Sequence, residues 1–324
     1  MKRIYTIIIL MAAALACILS ASCQRDPIIY PTSDYYVAVK VNAETSDSTR
    51  PTMYAVNFYD TLTHKLVIST YIKADTHPAG LPDGGYVTGL TPGVYDLLVY
   101  NFDTRVSSVT NTDYLSQAYA HSSVAGYTNN VPVILAPDHL YSYCERVEVP
   151  YITAEDGTYI IETVLDPRVE DWTVIVYGIK NLDLAQSIMF FLGGQTAGTM
   201  LGPVKKLTER GIVMFPGETR MSQEYTPVDS PSTKSGEGLI IYTPYTTFGK
   251  LDEDMRCMMT IQLTGPNGSV YYGQVDVTDQ ILDQQDKDHV IIIDSDIEVK
   301  PREDGGFNPL VDPWDPDVTT IVLE

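Results

Sequence analysis

The chain has 324 residues, with 42 acidic side chains against 21 basic ones, which gives a formal charge of −21 at neutral pH. Such a charge repels nucleic acid and anionic lipid head groups, so nucleic-acid binding and charge-driven membrane binding are excluded. The length is sufficient for two domains of about 150 residues each.

The first 22 residues have the pattern of a bacterial export signal. Lys2 and Arg3 precede an uncharged apolar run of about 16 residues, whereas a helix that crosses a bilayer needs about 20. Small residues at 20–22 then lead to Cys23. This order resembles the lipobox of bacterial lipoproteins, in which a peptidase cuts before a diacylated cysteine. The pattern therefore predicts a signal peptide over residues 1–22 and lipidation at Cys23.

Three alternatives to this interpretation remain open. Cys17 is a competing acylation site, although cleavage there would leave two apolar residues of the run on the mature chain. A plain cleaved signal is the second alternative, since the lipobox usually has leucine where this chain has Ser20, and a retained span is the third. Removal of residues 1–22 takes away two basic residues and no acid, so the formal charge becomes −23. Acyl chains rather than charge would then hold the protein at a membrane.

The mature chain has the pattern of an all-β protein. Residues 23–33 form a short tether, and residues 34–146 and 147–300 each carry short strands separated by Pro, Gly, Asn or Asp. Because helical periodicity is scarce, we predict two tandem antiparallel Greek-key β-sandwich domains. The predicted strands are Tyr35–Val41, Met53–Asp60, Leu66–Ile72 and Val94–Asn101 in the first domain, and Thr158–Val164, Trp172–Ile179, Ile188–Leu192, Gly211–Phe215, Gly238–Thr243, Cys257–Leu263, Ser269–Val277 and His289–Ile293 in the second.

Two turns are the clearest local predictions. In GLTPGVYDLLVYN, Gly89–Asn101, the residues Pro92 and Gly93 predict a type II turn with a positive φ at the glycine. The strand that follows has apolar residues on both faces, so we expect it to be buried on both sides. In the second domain, the sequence GPNG at 265–268 predicts a β-hairpin.

The carboxyl-terminal segment, residues 301–324, begins with a linker rich in Pro, Gly and Asp and ends in the apolar stretch VTTIVLE. An isolated strand leaves backbone groups unpaired, and pairing with an exposed sheet edge removes that cost. The segment either folds back on its own second domain or is donated to another subunit. The residues of this candidate exchanged strand are Val318, Thr319, Thr320, Ile321, Val322 and Leu323.

No sequence motif carries catalysis, a metal or a cofactor. The glycine-rich run Gly193–Gly198 lacks the lysine and the strand-to-helix setting of a phosphate cradle, so we predict a plain loop. The five histidines are isolated, and the aspartates near 286–296 and 312–317 match no calcium-binding loop. We therefore predict a protein that is not an enzyme, with no catalytic residues, no metal ligands and no cofactor.

The mature chain has two cysteines beyond Cys23. Cys144 and Cys257 fall in different predicted domains, so two separate buried thiols are the main interpretation and a disulfide is the alternative. Cys257 and His289 share a domain, but nothing local supports a nucleophile with its base, so we interpret them as a core thiol and a surface imidazole.

The lipobox, the GLTPGVYDLLVYN turn and strand, and WTVIVYGIKNL followed by SIMFFLGG together resemble the fimbrillin-associated anchor and tip lipoproteins of Bacteroidota fimbriae. The resemblance covers most of the mature chain, roughly residues 34–300. It implies tandem transthyretin-like β-sandwiches, a place in the outer membrane or at a filament tip, and joining to stalk subunits by β-strand exchange. It also implies Cys23 as the acyl acceptor and Val318–Leu323 as the exchanged strand.

In filaments of this kind the stalk subunits lose their first strand to an Arg-directed protease. Here Arg50 follows the first predicted strand, but Pro51 comes next, and an Arg–Pro bond resists trypsin-like cleavage. We therefore predict that Tyr35–Val41 stays in place and that the chain is an anchor, base or tip subunit rather than a repeating stalk unit.

The function predicted from these features is structural. We expect a non-catalytic lipoprotein of the outer membrane, exposed at the cell surface and held by acyl chains on Cys23. Its expected partners are fimbrial subunits, joined by strand exchange, and a host or bacterial surface ligand. The alternative is a surface glycan- or ligand-binding lipoprotein in which some of the 23 tyrosines line a shallow site.

Overall fold

The computed structural model describes residues 37–43, 50–73, 84–87, 90–151, 158–202, 209–221, 238–251, 254–266, 268–284, 287–301 and 321–322. This part of the chain is nearly all β-structure in a β-sandwich-like architecture, which confirms the predicted fold class. Its helical elements are α1 (Thr278–Asp283) and two short 3-10 turns, Leu115–Gln117 and Leu182–Leu184. The strands are β1 (Val37–Ala43), β2 (Met53–Asp60), β3 (Leu66–Lys73), β4 (Gly84–Val87), β5 (Gly93–Asn101), β6 (Ser107–Thr110), β7 (Tyr119–Ser122), β8 (Val124–Thr128), β9 (Val131–Leu135), β10 (Tyr141–Val149), β11 (Tyr159–Pro167), β12 (Glu170–Tyr177), β13 (Ser187–Thr196), β14 (Gly198–Met200), β15 (Arg210–Pro216), β16 (Thr219–Met221), β17 (Leu239–Thr247), β18 (Met258–Thr264), β19 (Val270–Asp276), β20 (Val290–Asp294) and β21 (Ile321–Val322).

The first sheet has seven strands in the order β3-β2-β5-β10-β11-β1-β4. Strands β2 and β5 are buried on both faces, because apolar cores lie on either side of them. On one face of β5, Tyr95 and Leu97 enter the first core, and on the other face Leu98 and Tyr100 enter a smaller one. The predicted two-sided burial of this strand is therefore confirmed, except that Val94 is 48% exposed.

The turn before β5 differs from its prediction. Gly93 is the first residue of β5 and is not among the glycines with a positive φ, so the predicted left-handed glycine is wrong. The Tyr95 hydroxyl holds the turn instead, because it donates a hydrogen bond to the Thr91 carbonyl oxygen at 2.9 Å and lies 3.0 Å from the Thr91 hydroxyl. The side chain of Tyr95, two residues after Gly93, therefore stabilises the chain reversal.

Two further sheets form the second sandwich. A four-stranded sheet, in the order β16-β17-β12-β20, faces a seven-stranded sheet, in the order β21-β19-β18-β13-β15-β9-β8. In the core between them Phe215 stacks on Phe190, with 5.2 Å between ring centroids, and on Tyr245, with 4.1 Å. The predicted hairpin is confirmed, since β18 and β19 pair antiparallel around a turn in which Gly268 has a φ of +73°.

A small core joins the two halves of the chain. A three-stranded sheet, in the order β14-β7-β6, brings Ala120 and Leu201 against residues of the first sheet such as Leu98. Phe248, which follows β17, packs in the same core. Apolar contact therefore continues from the first sheet to elements of the second half.

Strand pairing crosses the predicted boundary between residues 146 and 147. That boundary lies inside β10, β11 belongs to the first sheet, and β8 and β9 belong to the second sandwich. Members of the first core extend to Leu165, whereas the second core contains Ile134 of β9 and then residues from Trp172 onwards. The domain boundary at residue 146 stays a prediction, although the first sheet contains a strand that follows it and the second sandwich contains strands that precede it.

The sheets also contain parallel neighbours, which the antiparallel prediction did not include. Among the described strands, the parallel pairs are β1 with β11, β12 with β20, β15 with β9, and β19 with β21. Each of these pairs except the last joins strands that are separated by several other strands along the chain, as parallel neighbours require a long crossover.

The glycine-rich run Gly193–Gly198 is not the predicted loop. It ends β13 and begins β14, with a β-bulge between Leu192 and Gln195. Gly194 has a φ of +77°, and a Cβ atom at that position would lie 2.3 Å from the carbonyl oxygen of Arg256. The bulge and this close approach explain the glycine.

No helix within the described ranges is both long enough and apolar enough to cross a bilayer.

Candidate functional site

The carboxyl-terminal strand pairs with an edge strand of its own chain. β21 runs parallel to β19, with Ile321 opposite Gly273 and Val322 opposite Gln274. β18 occupies the other side of β19, so β19 is the last strand of the sheet apart from this short pairing. Gly273 has no side chain, which favours the close approach of a neighbouring backbone.

Five of the predicted site residues lie outside the described part of the chain, namely Cys23, Val318, Thr319, Thr320 and Leu323. Lipidation at Cys23 and donation of the tail strand therefore stay predictions. Sequence reasoning missed the strand that receives the tail, because an edge strand and an internal strand have the same alternation of residues.

Contacts at both ends hold the β19 edge in place. At the end of the strand, Asp276 accepts hydrogen bonds from the hydroxyl and the backbone N–H of Thr278, and these bonds lower the pKa of the carboxyl group. Near its start, the Tyr271 hydroxyl accepts a hydrogen bond from the Lys300 N–H at 3.1 Å. The chain therefore leaves for its carboxyl-terminal segment from the strand to which that segment returns.

The first strand lies inside its sheet. β1 pairs with β11 over seven residues and with β4 over four, and the side chains of Val37 and Val39 are 1% and 0% exposed. Loss of β1 would separate β4 from β11 and open an apolar groove. In the described chain that groove is filled by the protein's own strand.

The Arg50–Pro51 bond lies next to a fixed segment. Arg50 is exposed, but Pro51 is buried, and its carbonyl oxygen accepts a hydrogen bond from Tyr54 at 3.1 Å. The Thr52 N–H and hydroxyl both donate to Asp103. A protease would have to release this segment before cutting, in addition to meeting a proline after the arginine.

The two cysteines are separate free thiols, so the disulfide alternative is not formed. Burial raises the pKa of both Cys144 and Cys257 to about 11, which keeps them protonated at neutral pH. Gln195 donates a hydrogen bond to the Cys257 sulfur at 3.5 Å, whereas the His289 ring stacks on Trp172 at 4.7 Å. The structure therefore does not bring this thiol and imidazole together as a nucleophile and base.

Among the residues that the structure describes, no cluster of three or more His, Cys, Asp and Glu side chains could hold a metal ion. The Asp312–Asp317 group and Asp286 lie outside those residues.

A histidine–aspartate pair connects the loop after β9 to β12. The His139 Nε2 atom lies 2.7 Å from the Asp171 Oδ1 atom, and this hydrogen bond raises the pKa of the imidazole above its ordinary value of 6.5. Burial of the ring acts in the opposite direction, and the charges of Asp171 and Asp138 add to the increase. The pair is therefore strongest when His139 is protonated.

We expect His139→Gln to lower the melting temperature more at about pH 5.5 than at about pH 8. The stabilisation from a raised histidine pKa is fully present below about pH 6.5 and is lost as the pH rises through the folded-state pKa. Solvent screens the partly exposed pair, so the shift is small. Thermal unfolding at both pH values checks this, with His121→Gln as the control. Equal losses at both pH values would contradict it.

Exposed tyrosines are spread over different sheets. Tyr71, on β3, is 68% exposed, and Tyr127, on β8, is 72% exposed. The Tyr71 ring packs edge-on against Phe102 at 4.9 Å. Tyr71 and Tyr127 thus do not form one stacking surface for a sugar ring.

Comparisons with known proteins agree with this architecture. No family model and no curated protein matches the sequence. A candidate adhesin from Bacteroides ovatus has a TM-score of 0.60 and 16% identity, covering 87% of this chain and 98% of that chain. The fimbrial anchor protein Mfa2 from Porphyromonas gingivalis has a TM-score of 0.47 and 15% identity, covering 80% and 88%. A candidate polysaccharide-binding protein from Bacteroides thetaiotaomicron has a TM-score of 0.46 and 12% identity, covering 81% and 90%.

The chain therefore shares the fold of the Bacteroides ovatus protein over nearly the whole length of that protein. This shared fold confirms the resemblance predicted from the sequence at the level of the fold.

Proposed function

We propose that this chain is a non-catalytic outer-membrane lipoprotein that acts as an anchor, base or tip subunit of a fimbria-like adhesive assembly and joins other subunits by β-strand addition. The observation that carries the proposal is the parallel pairing of the tail strand with the edge strand β19. The fold shared with a candidate adhesin supports an adhesive surface role.

The geometry of the β19 edge favours exchange between chains. The described pairing uses Gly273 and Gln274, whereas β19 has seven residues whose inner side is already held by β18. A longer strand from another subunit would form more backbone hydrogen bonds on the same edge, and a donated tail would form them on a partner. Intramolecular and intermolecular pairing then compete for the same backbone groups.

The amino-terminal half of the chain supports a subunit that keeps its own first strand. β1 fills its position between β4 and β11, and Pro51 follows the one arginine that lies between β1 and β2. Such a subunit offers no empty groove at β1. It therefore belongs at an end of the assembly rather than within a repeating stalk.

Removal of residues 318–324 is expected to abolish co-purification of partner subunits while the fold is retained. The partners are identified by crosslinking intact cells and purifying this protein from outer membranes. Ile321→Asp, which places a charge in the paired strand, is expected to weaken the same capture, and Glu324→Gln serves as the matched control. Unchanged capture by a truncated chain with native circular dichroism would exclude strand addition by the tail.

We expect the mature protein to begin at Cys23 with acyl chains attached. Mass spectrometry of the protein from outer membranes checks this, and Cys23→Ala is expected to release the protein from the membrane because its charge provides no attachment. Cys17→Ala is the control and should leave the protein in place. A mature amino end at Pro51 or later would contradict the proposal that β1 is kept.

The alternative of a glycan-binding lipoprotein has less support, because Tyr71 and Tyr127 lie on different sheets. A glycan array with the purified chain separates the two functions. Binding that Tyr71→Ala or Tyr127→Ala removes would favour the alternative.

A further inference from the structure

Strand β20 lies at the edge of the four-stranded sheet, and among the described strands its hydrogen-bonded neighbour is β12. The His289 carbonyl oxygen accepts a hydrogen bond from β12, and the Ser295 N–H donates one to β12, both at 2.9 Å. Because the backbone groups of successive residues in a strand point to opposite sides, Val290, Ile292 and Asp294 direct theirs away from β12. These outward backbone groups form the β20 edge.

The side chain of Gln280 occupies the centre of the β20 edge. Its Oε1 atom accepts a hydrogen bond from the Ile292 N–H at 2.8 Å, and its Nε2 atom donates one to the Ile292 carbonyl oxygen at 3.0 Å. A residue of an antiparallel neighbouring strand would exchange the same two bonds with Ile292. The glutamine amide, which has one acceptor oxygen and two donor hydrogens, therefore takes the place of a neighbouring strand at this position.

Helix α1 holds Gln280 in a fixed position. The next residue, Ile281, is 4% exposed and belongs to the second core. Two residues before Gln280, the Thr278 hydroxyl accepts a hydrogen bond from the Cys257 N–H of the sheet that contains β19, at 2.9 Å. Because the backbone on both sides of Gln280 is held by the sandwich, its side chain reaches Ile292 from a position that the fold determines.

The sequence of β20 makes an open edge hazardous. Residues 290–293 are four consecutive β-branched residues, and the one charged side chain of the strand, Asp294, lies at its end. The strand contains no lysine and no proline, and its register with β12 is uninterrupted by a bulge. Natural proteins protect an edge strand by a charge, a proline, a bulge or a covering element, and apolar β-branched segments without such protection pair with other chains. Protection of β20 therefore depends on the covering amide of Gln280.

We propose that Gln280 closes the β20 edge against pairing with the β20 edge of a second copy of the chain. In a two-fold symmetric antiparallel pair centred on Ile292, this residue would exchange both of its outward hydrogen bonds with Ile292 of the other copy. These are the two bonds that Gln280 makes within the chain, so the glutamine and a second copy compete for the same backbone groups. The inference goes beyond the proposed assembly role and does not depend on it.

Light scattering after size-exclusion chromatography tests this inference. We expect Gln280→Ala to double the molar mass of the purified chain relative to the unmodified protein at the same concentration. Gln284→Ala removes the same type of side chain at the C-cap of the same helix and should leave the mass unchanged. The doubling is also expected in a chain that lacks residues 318–324, which separates the β20 edge from any exchange of the tail strand at β19.

A second substitution identifies the surface that associates. Ile292→Pro removes the outward N–H without removing a hydrogen bond to β12, so the double variant Gln280→Ala, Ile292→Pro should return to the mass of the unmodified chain. Ile292→Lys places a charge on the same edge and replaces the proline variant if circular dichroism shows that the latter is unfolded. An unchanged mass for Gln280→Ala at every concentration measured would overturn the inference. Association that persists in the double variant, or that disappears without residues 318–324, would assign it to another surface and would also overturn it.

Discussion

Phe215→Ala is expected to lower the free energy of unfolding by about 3–5 kcal/mol, the range for truncating a buried aromatic side chain. Phe215 is 2% exposed and lies between the rings of Phe190 and Tyr245. Its removal would leave a cavity between the two sheets of the second sandwich, because rigid strands on both sides cannot close over the space.

Denaturant unfolding monitored by circular dichroism measures this loss. Tyr127→Ala is a suitable control, because it also removes an aromatic ring from a strand, but one that is 72% exposed, so a change within about 0.5 kcal/mol is expected. Similar losses for the two variants would show that ring burial in the second core does not determine stability.

Gly178→Ala is expected to destabilise the protein more than either Gly268→Ala or Gly126→Ala. Gly178 has a φ of +82°, and an added Cβ atom would lie 2.2 Å from the carbonyl oxygen of Ser295. Alanine would therefore meet both an unfavourable backbone conformation and a clash with backbone. The Ser295 N–H donates to the Tyr177 carbonyl oxygen at 2.9 Å, so the two segments cannot separate without losing this bond.

Gly268 and Gly126 distinguish the cost of the backbone conformation from the cost of the clash. Gly268 has a φ of +73° but open space around the Cβ position, so Gly268→Ala should cost about 1–2 kcal/mol from conformation alone. Gly126 has neither restriction, and Gly126→Ala should be neutral or stabilise by up to about 1 kcal/mol. Thermal and denaturant unfolding of the three variants measures the order of their losses in stability. A loss at Gly178 no greater than that at Gly268 would contradict the clash.

The sequence was sufficient to predict the strands with the strongest alternation, but not β4, β6, β7, β8, β9, β10, β14 or β16. Alternation of apolar residues and turn signals located strands such as Met53–Asp60 with their observed bounds, and GPNG located the β18–β19 hairpin. The two-sided burial of β5 followed from apolar residues at consecutive positions. These features depend on neighbours along the chain, which the sequence shows directly.

The neighbours of each strand could not be predicted in the same way. Alternation indicates which side chains share a face but not which strand lies beside them, so the sequence did not show that β11 joins the first sheet or that β8 and β9 join the second sandwich. The glycines of 193–198 likewise fit a loop or a bulge equally well. At the candidate site the sequence identified the tail strand but not its acceptor β19.

The parallel pairing of β1 with β11 also determines the order in which the first sheet can be completed. Lys40 and Glu162 meet at 3.0 Å, although 122 positions separate them along the chain. At a synthesis rate of about 5–20 residues per second, β1 therefore waits about 6–24 s for its partner to emerge from the ribosome. During that interval β4 is the neighbouring strand available to β1, so Val37, Val39 and Val41 stay incompletely buried and the first strand of the fold is among the last to be stabilised.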